Sequence, residues 1–355
     1  MSIQSPPEKL PVSVLIPAKN EELNLPACLQ SVARAAEVFV VDSNSSDRSA
    51  EISLEYGARV VQFDFEAEKE RYDAAMTAYN EKIAHLQQIG CEIPADIEVP
   101  HLRKKKNWSL DTLPFSYKWV LIVDCDERIT PDLWSDIEAV LQQPNSEGYY
   151  IARRVYFLGR WLRYGGKYPD LNLRLFKHQR GRYEDLGLGY IPNTGDNEVH
   201  EHVVLRDEVG NKLSPAVLAH PMDHIDFRNI HQWLDRHNRY SNWEAAFYNK
   251  LLNGELNDDI KPSLLIKGPQ RTRFLRIVWA RLPFKPLLRF ILVYILRLGF
   301  LDGRAGYIYA RLIAQYEYHI GVKLYELRHF SGSINGTIQS PAEKPLVSIR
   351  KAANR

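Results

Sequence analysis

The stretch "VLIVDCDERITPDLW", residues 120–134, decides the reading of this chain. An apolar, strand-like run gives way to Asp124, Cys125 and Asp126, and Thr130-Pro131 then opens a helix, as a capping hydroxyl followed by proline does. That helix is expected to turn Leu133, Ile137, Val140 and Leu141 inward, the spacing of a half-buried helix. Carboxylates ahead of a helix suit its N-terminal dipole. Taken alone, the pair leaves a structural and a chemical reading open.

Upstream the same alternation repeats. "PVSVLIPA" (11–18), "EVFVVD" (37–42), "ARVVQFDF" (58–65) and "KWVLIVD" (118–124) are short apolar runs with β-branched residues, the signature of buried strands. Between the first two, Asn24 is expected to cap a helix with Pro26 in its first turn and Leu25, Cys28, Leu29 and Val32 on one face. Ser46 is expected to cap a second helix and Gly57 to stop it. Such alternation predicts an α/β layer with a mainly parallel sheet, which binds ligands at the carboxyl ends of its strands. Three polar clusters fall there: Lys19-Asn20-Glu21, Asp42-Ser43-Asn44 and Asp124-Cys125-Asp126. Three such ends after successive strands point to one shared cleft.

No GxGxxG follows a strand and no GxxxxGK[ST] occurs, so the usual phosphate-cradling loops are missing. A diphosphate held here needs a metal instead. Mg²⁺ binds protein through one or two carboxylates and completes its shell with phosphate and water. Asp124 and Asp126, two apart on a strand, are expected to face one side, with Cys125 turned away to pack.

The 355 residues suffice for one large domain or two modest ones, and a net charge of +2 names no partner. Cys28, Cys91 and Cys125 lie far apart without metal or disulfide spacing, which suits a reducing compartment. The start "MSIQSPPEKLP" lacks an apolar signal core, and no run of about 18 uncharged apolar residues predicts a spanning helix.

In order, "VSVLIPAKNEELNL", "VVDSNSSDRS" and "WVLIVDCDERITPDL" resemble family 2 glycosyltransferases, inverting enzymes of the GT-A fold. "YYIARRVYFLGRWLRYGGKYPDLNLRLFK" (149–177) and "EVHEH" (198–202) are similar to the subgroup of lipopolysaccharide-core β-1,4-glucosyltransferases and related polysaccharide enzymes. The resemblance spans roughly residues 10–65 and 102–325. It implies that Pro17, Ala18 and Glu21 line the nucleoside and that Asp42 contacts base or ribose. Lys106 and Asn107 match a basic-Asn pair near the nucleotide. Asp124 and Asp126 become the DxD motif, with Asp126 the first choice for direct ligand of Mg²⁺ or Mn²⁺. Where the family runs a short loop, this chain has residues 66–105, expected to form a surface helical hairpin or lid.

Inverting transfer needs a carboxylate to deprotonate the acceptor hydroxyl. The resemblance gives Glu201 in "VHE" as that base, with His200 as a phosphate or metal neighbour, and Asp185 in "RYEDLG" as the rival. His220 is a weaker candidate and His224 reads as structural, while Arg153, Arg154 and Arg174 are expected to border the cleft.

Residues 271–311 hold nine Arg or Lys and one Asp, a net charge of +8, interleaved with Phe, Trp, Ile, Leu and Tyr. This suits helices lying on an anionic leaflet. The apolar residues are continuous and aliphatic, unlike nucleic-acid stacking platforms, so no nucleic-acid partner is expected. A core helix with an exposed arginine face is the competing reading. "FRNIHQWLDRHNRYSNWEAAFYNKLLNG" (227–254) reads as one long amphipathic helix joining the two parts.

The expectation is therefore a catalytic domain over 1–225, a membrane-associating helical region over 226–330 and a tail over 331–355. The activity expected is metal-dependent hexosyl transfer from a nucleotide sugar to a saccharide or lipid-linked saccharide, by an enzyme peripheral to the cytoplasmic face of the inner membrane. Transfer onto polyprenyl phosphate, which needs no base, and an inactive scaffold of a polysaccharide assembly complex are the alternatives.

Overall fold

The computed structural model describes residues 8–92, 94, 97, 99–184, 191, 202–226, 229–255 and 269–330, with backbone alone for 269–273. The catalytic candidates Asp185, His200 and Glu201 and the tail over 331–355 lie outside the described residues.

The first half follows the expected alternation: β1 (Leu10–Ala18), α1 (Leu25–Ser31), β2 (Ala35–Asp42), α2 (Ser49–Glu55) and β3 (Arg59–Gln62). Next come α3 (Phe65–Gln88), α4 (Lys105–Thr112), β4 (Trp119–Ile122), the two-residue β5 (Glu127–Arg128) and α5 (Pro131–Gln142). Then β6 (Gly148–Phe157), β7 (Arg160–Trp161), β8 (Asp170–Lys177), β9 (Gly181–Tyr183), β10 (Val203–Leu205), β11 (Ala216–Val217) and β12 (Met222–Ile225) follow.

The main sheet runs β3-β2-β1-β4-β8-β6-β12-β5. It is parallel from β3 through β4 and turns antiparallel where β4 meets β8 and β8 meets β6. Side-chain alternation fills a core on each face. Val12, Val14 and Ile16 of β1 and Trp119 and Leu121 of β4 pack with α1 and α5. Leu15, Val120 and Ile122 pack on the opposite face with Phe63, Leu110 and Phe176. Each fully buried aliphatic side chain there contributes about 1.5–3 kcal/mol.

Thr130 caps α5 as expected, its hydroxyl accepting from Leu133 N at 3.2 Å, and Leu133 and Ile137 are buried. Three local expectations differ. The Asn24 side chain makes no cap bond, and its amide donates instead to Glu21 (2.9 Å) and Asp226 (3.2 Å). Asp47, rather than Ser46, receives the first helical N–H of α2, from Ser49 at 3.0 Å. The insertion contains one 24-residue helix, α3, in which only Glu68 is buried. Glu68 pairs with Arg71 (2.6 Å) and Arg103 (2.9 Å), which ties the helix to the chain leading into α4.

The last part is helical: α6 (Ile230–Asn253), α7 (Pro269–Arg281), α8 (Lys285–Phe290), a π-turn (Ile291–Leu296), a 3₁₀ turn (Gly299–Asp302) and α9 (Gly303–His329). Asn229 and Gln232 form a capping box at the start of α6, and Gly254 ends it in the left-handed conformation. Trp243, Phe247 and Leu251 of α6 pack on Ile320 and Leu324 of α9. Phe157 and Leu162 pack on Val293, Tyr309 and Ala310, which joins the sheet to the helical part.

Candidate active site

A cleft of about 690 Å³ opens beyond β1 and β4. Pro17, Glu21, Lys106, Asp124 and Asp126 all line it, as do Arg153 and Arg174. Ala18, Asp42 and Asn107 do not. Ala18 O instead accepts from Lys105 Nζ (3.0 Å), which holds the base of α4 to the end of β1. The buried Asp42 carboxylate accepts from the N–H (3.0 Å) and hydroxyl of Ser45, which fixes the turn after β2. The Asn107 amide exchanges two bonds with the Tyr183 backbone (2.9 and 2.8 Å), so it positions β9 against α4.

Asp124 and Asp126 are not on a strand: β4 ends at Ile122 and the DCD residues form the turn that follows. Cys125 is buried, its thiol 3.3 Å from Pro17 O, and burial pushes its pKa well up, as expected of a packing residue. The two carboxylates meet different partners. Asp124 pairs with Arg174 (2.5 Å) and Lys106 (3.2 Å). Burial raises the pKa of Asp124, but Arg174 and then Lys106 outweigh it and hold the carboxyl well below the usual range. Asp126 faces His224 (3.3 Å) and Arg236 (3.5 Å), and Arg236 also pairs with Asp226 (2.6 Å).

Two residues given no role from sequence organise this site. Glu127, fully buried, accepts from Arg174 Nη2 (2.6 Å), Arg153 Nη1 (3.3 Å) and Asp124 N (2.9 Å). Its only sequence signal is being a third acid in the DCDE turn. Arg236 reaches the site from α6, whose pattern reads merely as amphipathic. His224, which reads as structural in the sequence, lies beside Asp126. His220 stands apart from the cleft, paired with Asp136 at 3.0 Å.

The donor set fits a hard divalent cation. Asp124 and Asp126 offer carboxylate oxygens, Asp124 is held ionised, and such an ion takes its other ligands from phosphate and water. Among the described residues no group of three His, Cys, Asp or Glu gathers to hold a metal.

The β9–β10 pairing brings Tyr183 and Val203 together, and Tyr183, His202 and Val203 all line the cleft. The segment between them carries Asp185, His200 and Glu201.

Residues 13–82 match the family model "Glycosyl transferase family 2". The lipopolysaccharide core biosynthesis glycosyltransferase LpsC of Rhizobium meliloti is 25% identical over 322 residues, covering 90% of this chain and 94% of that protein. Among solved structures, S. aureus TarS is 13% identical, with a TM-score of 0.37 over 89% of this chain and 54% of that one. Glucosyl-3-phosphoglycerate synthase from Mycobacterium tuberculosis, solved with Mn²⁺, UDP-glucose and phosphoglyceric acid, is 21% identical, with a TM-score of 0.26 over 40% of this chain and 44% of that one. With its first strands matching the family model and a curated relative aligned along most of its length, the chain is similar to glycosyltransferases of the family 2 type.

Proposed function

We propose that this chain is an inverting hexosyltransferase that moves a sugar from a nucleotide diphosphate donor, a UDP-sugar in the first instance, to a hydroxyl of a lipid-linked or polysaccharide acceptor. One observation carries the reading: the ends of β1 and β4, the start of α4 and the strand β8 gather Glu21, Asp124 and Asp126 with Lys106 and Arg174 in one cleft. Pro17 and Glu21 would border the nucleoside. Lys106 and Arg174, both held against Asp124, would bring positive charge to the departing diphosphate. Mg²⁺ or Mn²⁺ held by Asp124 and Asp126 would neutralise that leaving group when bound. Glu201 is our choice for the base that takes the acceptor proton, with Asp185 the rival.

Residues 1–225 would carry the donor site, and 226–330 would complete the cleft and meet an anionic membrane surface on the cytoplasmic side. No helix among the described residues is long and apolar enough to cross a membrane. The support for a surface role is exposure: Phe284 is 78% exposed and Leu296 69%, and Leu287, Leu298, Phe300 and Leu301 are also exposed.

Thermal-shift titration of UDP-, GDP- and dTDP-sugars with and without Mn²⁺ tests the donor reading. Binding at a hundredfold excess over Kd stabilises by about 2.7 kcal/mol. Absence of any metal-dependent shift with all three would overturn it.

A further inference from the structure

We infer that the cleft contains a second anion-recognition point, centred on Lys167, and that the acceptor saccharide carries a phosphate or carboxylate group that it binds. The word acceptor rests on the transferase reading above, whereas the anion site stands on its own geometry.

The charges of the cleft form a string of alternating sign. Asp124 pairs with Arg174, Arg174 with Glu127, Glu127 with Arg153 and Arg153 with Asp170, at distances of 2.5, 2.6, 3.3 and 2.5 Å. Near the end of this string stands Lys167, which makes no ion pair among the described residues. Its Nζ lies 5.2 Å from the ring centroid of Tyr309. Tyr309 first and Asp170 after it push its pKa up against the opposing effect of burial, so the ammonium stays charged. The carboxylate nearest in charge, Asp170, is already taken by Arg153 at 2.5 Å, so an anionic ligand in the same cleft would give the half-buried ammonium a counter-charge of its own.

The surroundings suit a sugar bearing that anion. Trp233 and His237 stack with ring centroids 3.5 Å apart at 20°, and both line the cleft. Burial pushes the His237 pKa down to about 4, the Trp233 carbonyl opposing and Arg236 adding to the fall, so this platform is uncharged at neutral pH. A flat uncharged face beside the Lys167 ammonium matches a pyranose ring with a charged substituent.

Lys167 is also held in place. Arg163 N and Tyr164 N donate to the buried Asp302 carboxylate at 3.2 and 3.0 Å, and Gly165 N donates to Arg297 O at 2.8 Å. A loop pinned at three successive backbone positions presents its lysine with little left to order on binding.

The test is calorimetric titration of the purified full chain with glucose 6-phosphate, glucuronate, methyl glucoside and a short prenyl monophosphate. It is run with and without saturating UDP and Mn²⁺, and the Lys167-dependent part is read in both. Glucose 6-phosphate or glucuronate should bind at least tenfold more tightly than methyl glucoside. Lys167→Gln should remove that preference and Lys167→Arg should restore most of it, with UDP affinity unchanged in both. Equal binding of charged and neutral sugars, or a preference that survives Lys167→Gln, overturns the anion site. Binding of the prenyl phosphate tenfold more tightly than glucose 6-phosphate overturns the saccharide assignment. Failure of UDP to bind at all overturns the donor reading above instead and leaves the Lys167 comparison readable.

Discussion

The guanidinium of Arg174 lies 2.6 Å from the buried carboxylate of Glu127, and the same nitrogen lies 2.5 Å from Asp124. The arginine itself is buried, and although burial disfavours its charge, Asp124 and Glu127 push its pKa well above the usual value. Removing Glu127 should therefore leave the buried guanidinium balanced by Asp124 alone and take a buried partner from Arg153 as well. Glu127→Gln is expected to lower unfolding free energy by about 3 kcal/mol, the usual result of breaking a buried pair from one side. Urea denaturation measures it, and a change under 0.5 kcal/mol would show that Glu127 does not fix Arg174.

Donor binding should depend on the DCD turn. Asp124→Ala and Asp126→Ala are each expected to abolish the Mn²⁺- or Mg²⁺-dependent part of UDP-sugar affinity while leaving the far-ultraviolet circular dichroism unchanged. If both single variants bind donor as tightly as the parent, the metal assignment fails.

The base is tested by chemistry rather than binding. Glu201→Gln should keep donor affinity and lower transfer by roughly 10²–10⁴-fold, the usual contribution of a positioned acid or base. Equal transfer by this variant would remove Glu201 from the role, and a comparable loss in Asp185→Asn would assign it there.

How much of this was legible in the sequence depends on how far apart the partners lie. The strands, the Thr130 cap and the inward face of α5 are set by residues within a turn of one another, and the pattern conveys them. Arg174 and Glu127 are 47 residues apart and Asn24 and Asp226 are 202 apart. Nothing local marks either contact. Asn24 does not cap α1 because its backbone is already helical (φ −93°, ψ −34°), and its amide nitrogen is held by the nearby Glu21 as well as by the distant Asp226. Likewise the acidic turn is visible in "DCDE", but its cations come from α4, β8 and α6, which only the folded sheet brings together. Asp124 and Asp126 read as alternating strand residues because the end of a strand is not marked by hydropathy.

His237 supplies a pH dependence. Its folded pKa of about 4 lies below an ordinary value of 6.5, because burial disfavours the imidazolium. The unfolded chain then binds the proton first as pH falls, so this contribution is complete above about pH 6.5 and is lost toward pH 4. Between pH 7 and pH 5 the wild type should lose roughly 1–2 kcal/mol more stability than His237→Phe, which keeps the stack on Trp233. Identical losses in urea melts of the two proteins would show that His237 titrates normally.

The membrane prediction changes with the structure. Arg289 binds the buried Glu317 at 2.8 Å and lies over Trp279, and Arg276 lies over Phe247, so both have partners within the helical part. The one acid of 271–311, Asp302, is buried against the backbone of the Lys167 loop. What faces outward is Arg281, Arg297 and Arg304 with Phe284, Leu287, Leu296 and Leu298. Each arginine near an anionic surface contributes on the order of 1 kcal/mol, and salt screens it. The apolar side chains add a contribution that salt does not remove, about 2 kcal/mol for each one fully buried. Wild-type protein should sediment with phosphatidylglycerol vesicles, weakly with phosphatidylcholine, and be only partly released by high salt. Changing Arg281, Arg297 and Arg304 together to Gln should abolish the preference for anionic lipid, whereas Phe284→Ser with Leu296→Ser should make the residual binding fully salt-sensitive. A wild type that stays in the supernatant with anionic vesicles at low salt would end the interfacial reading, and the acceptor would then have to reach the cleft from solution.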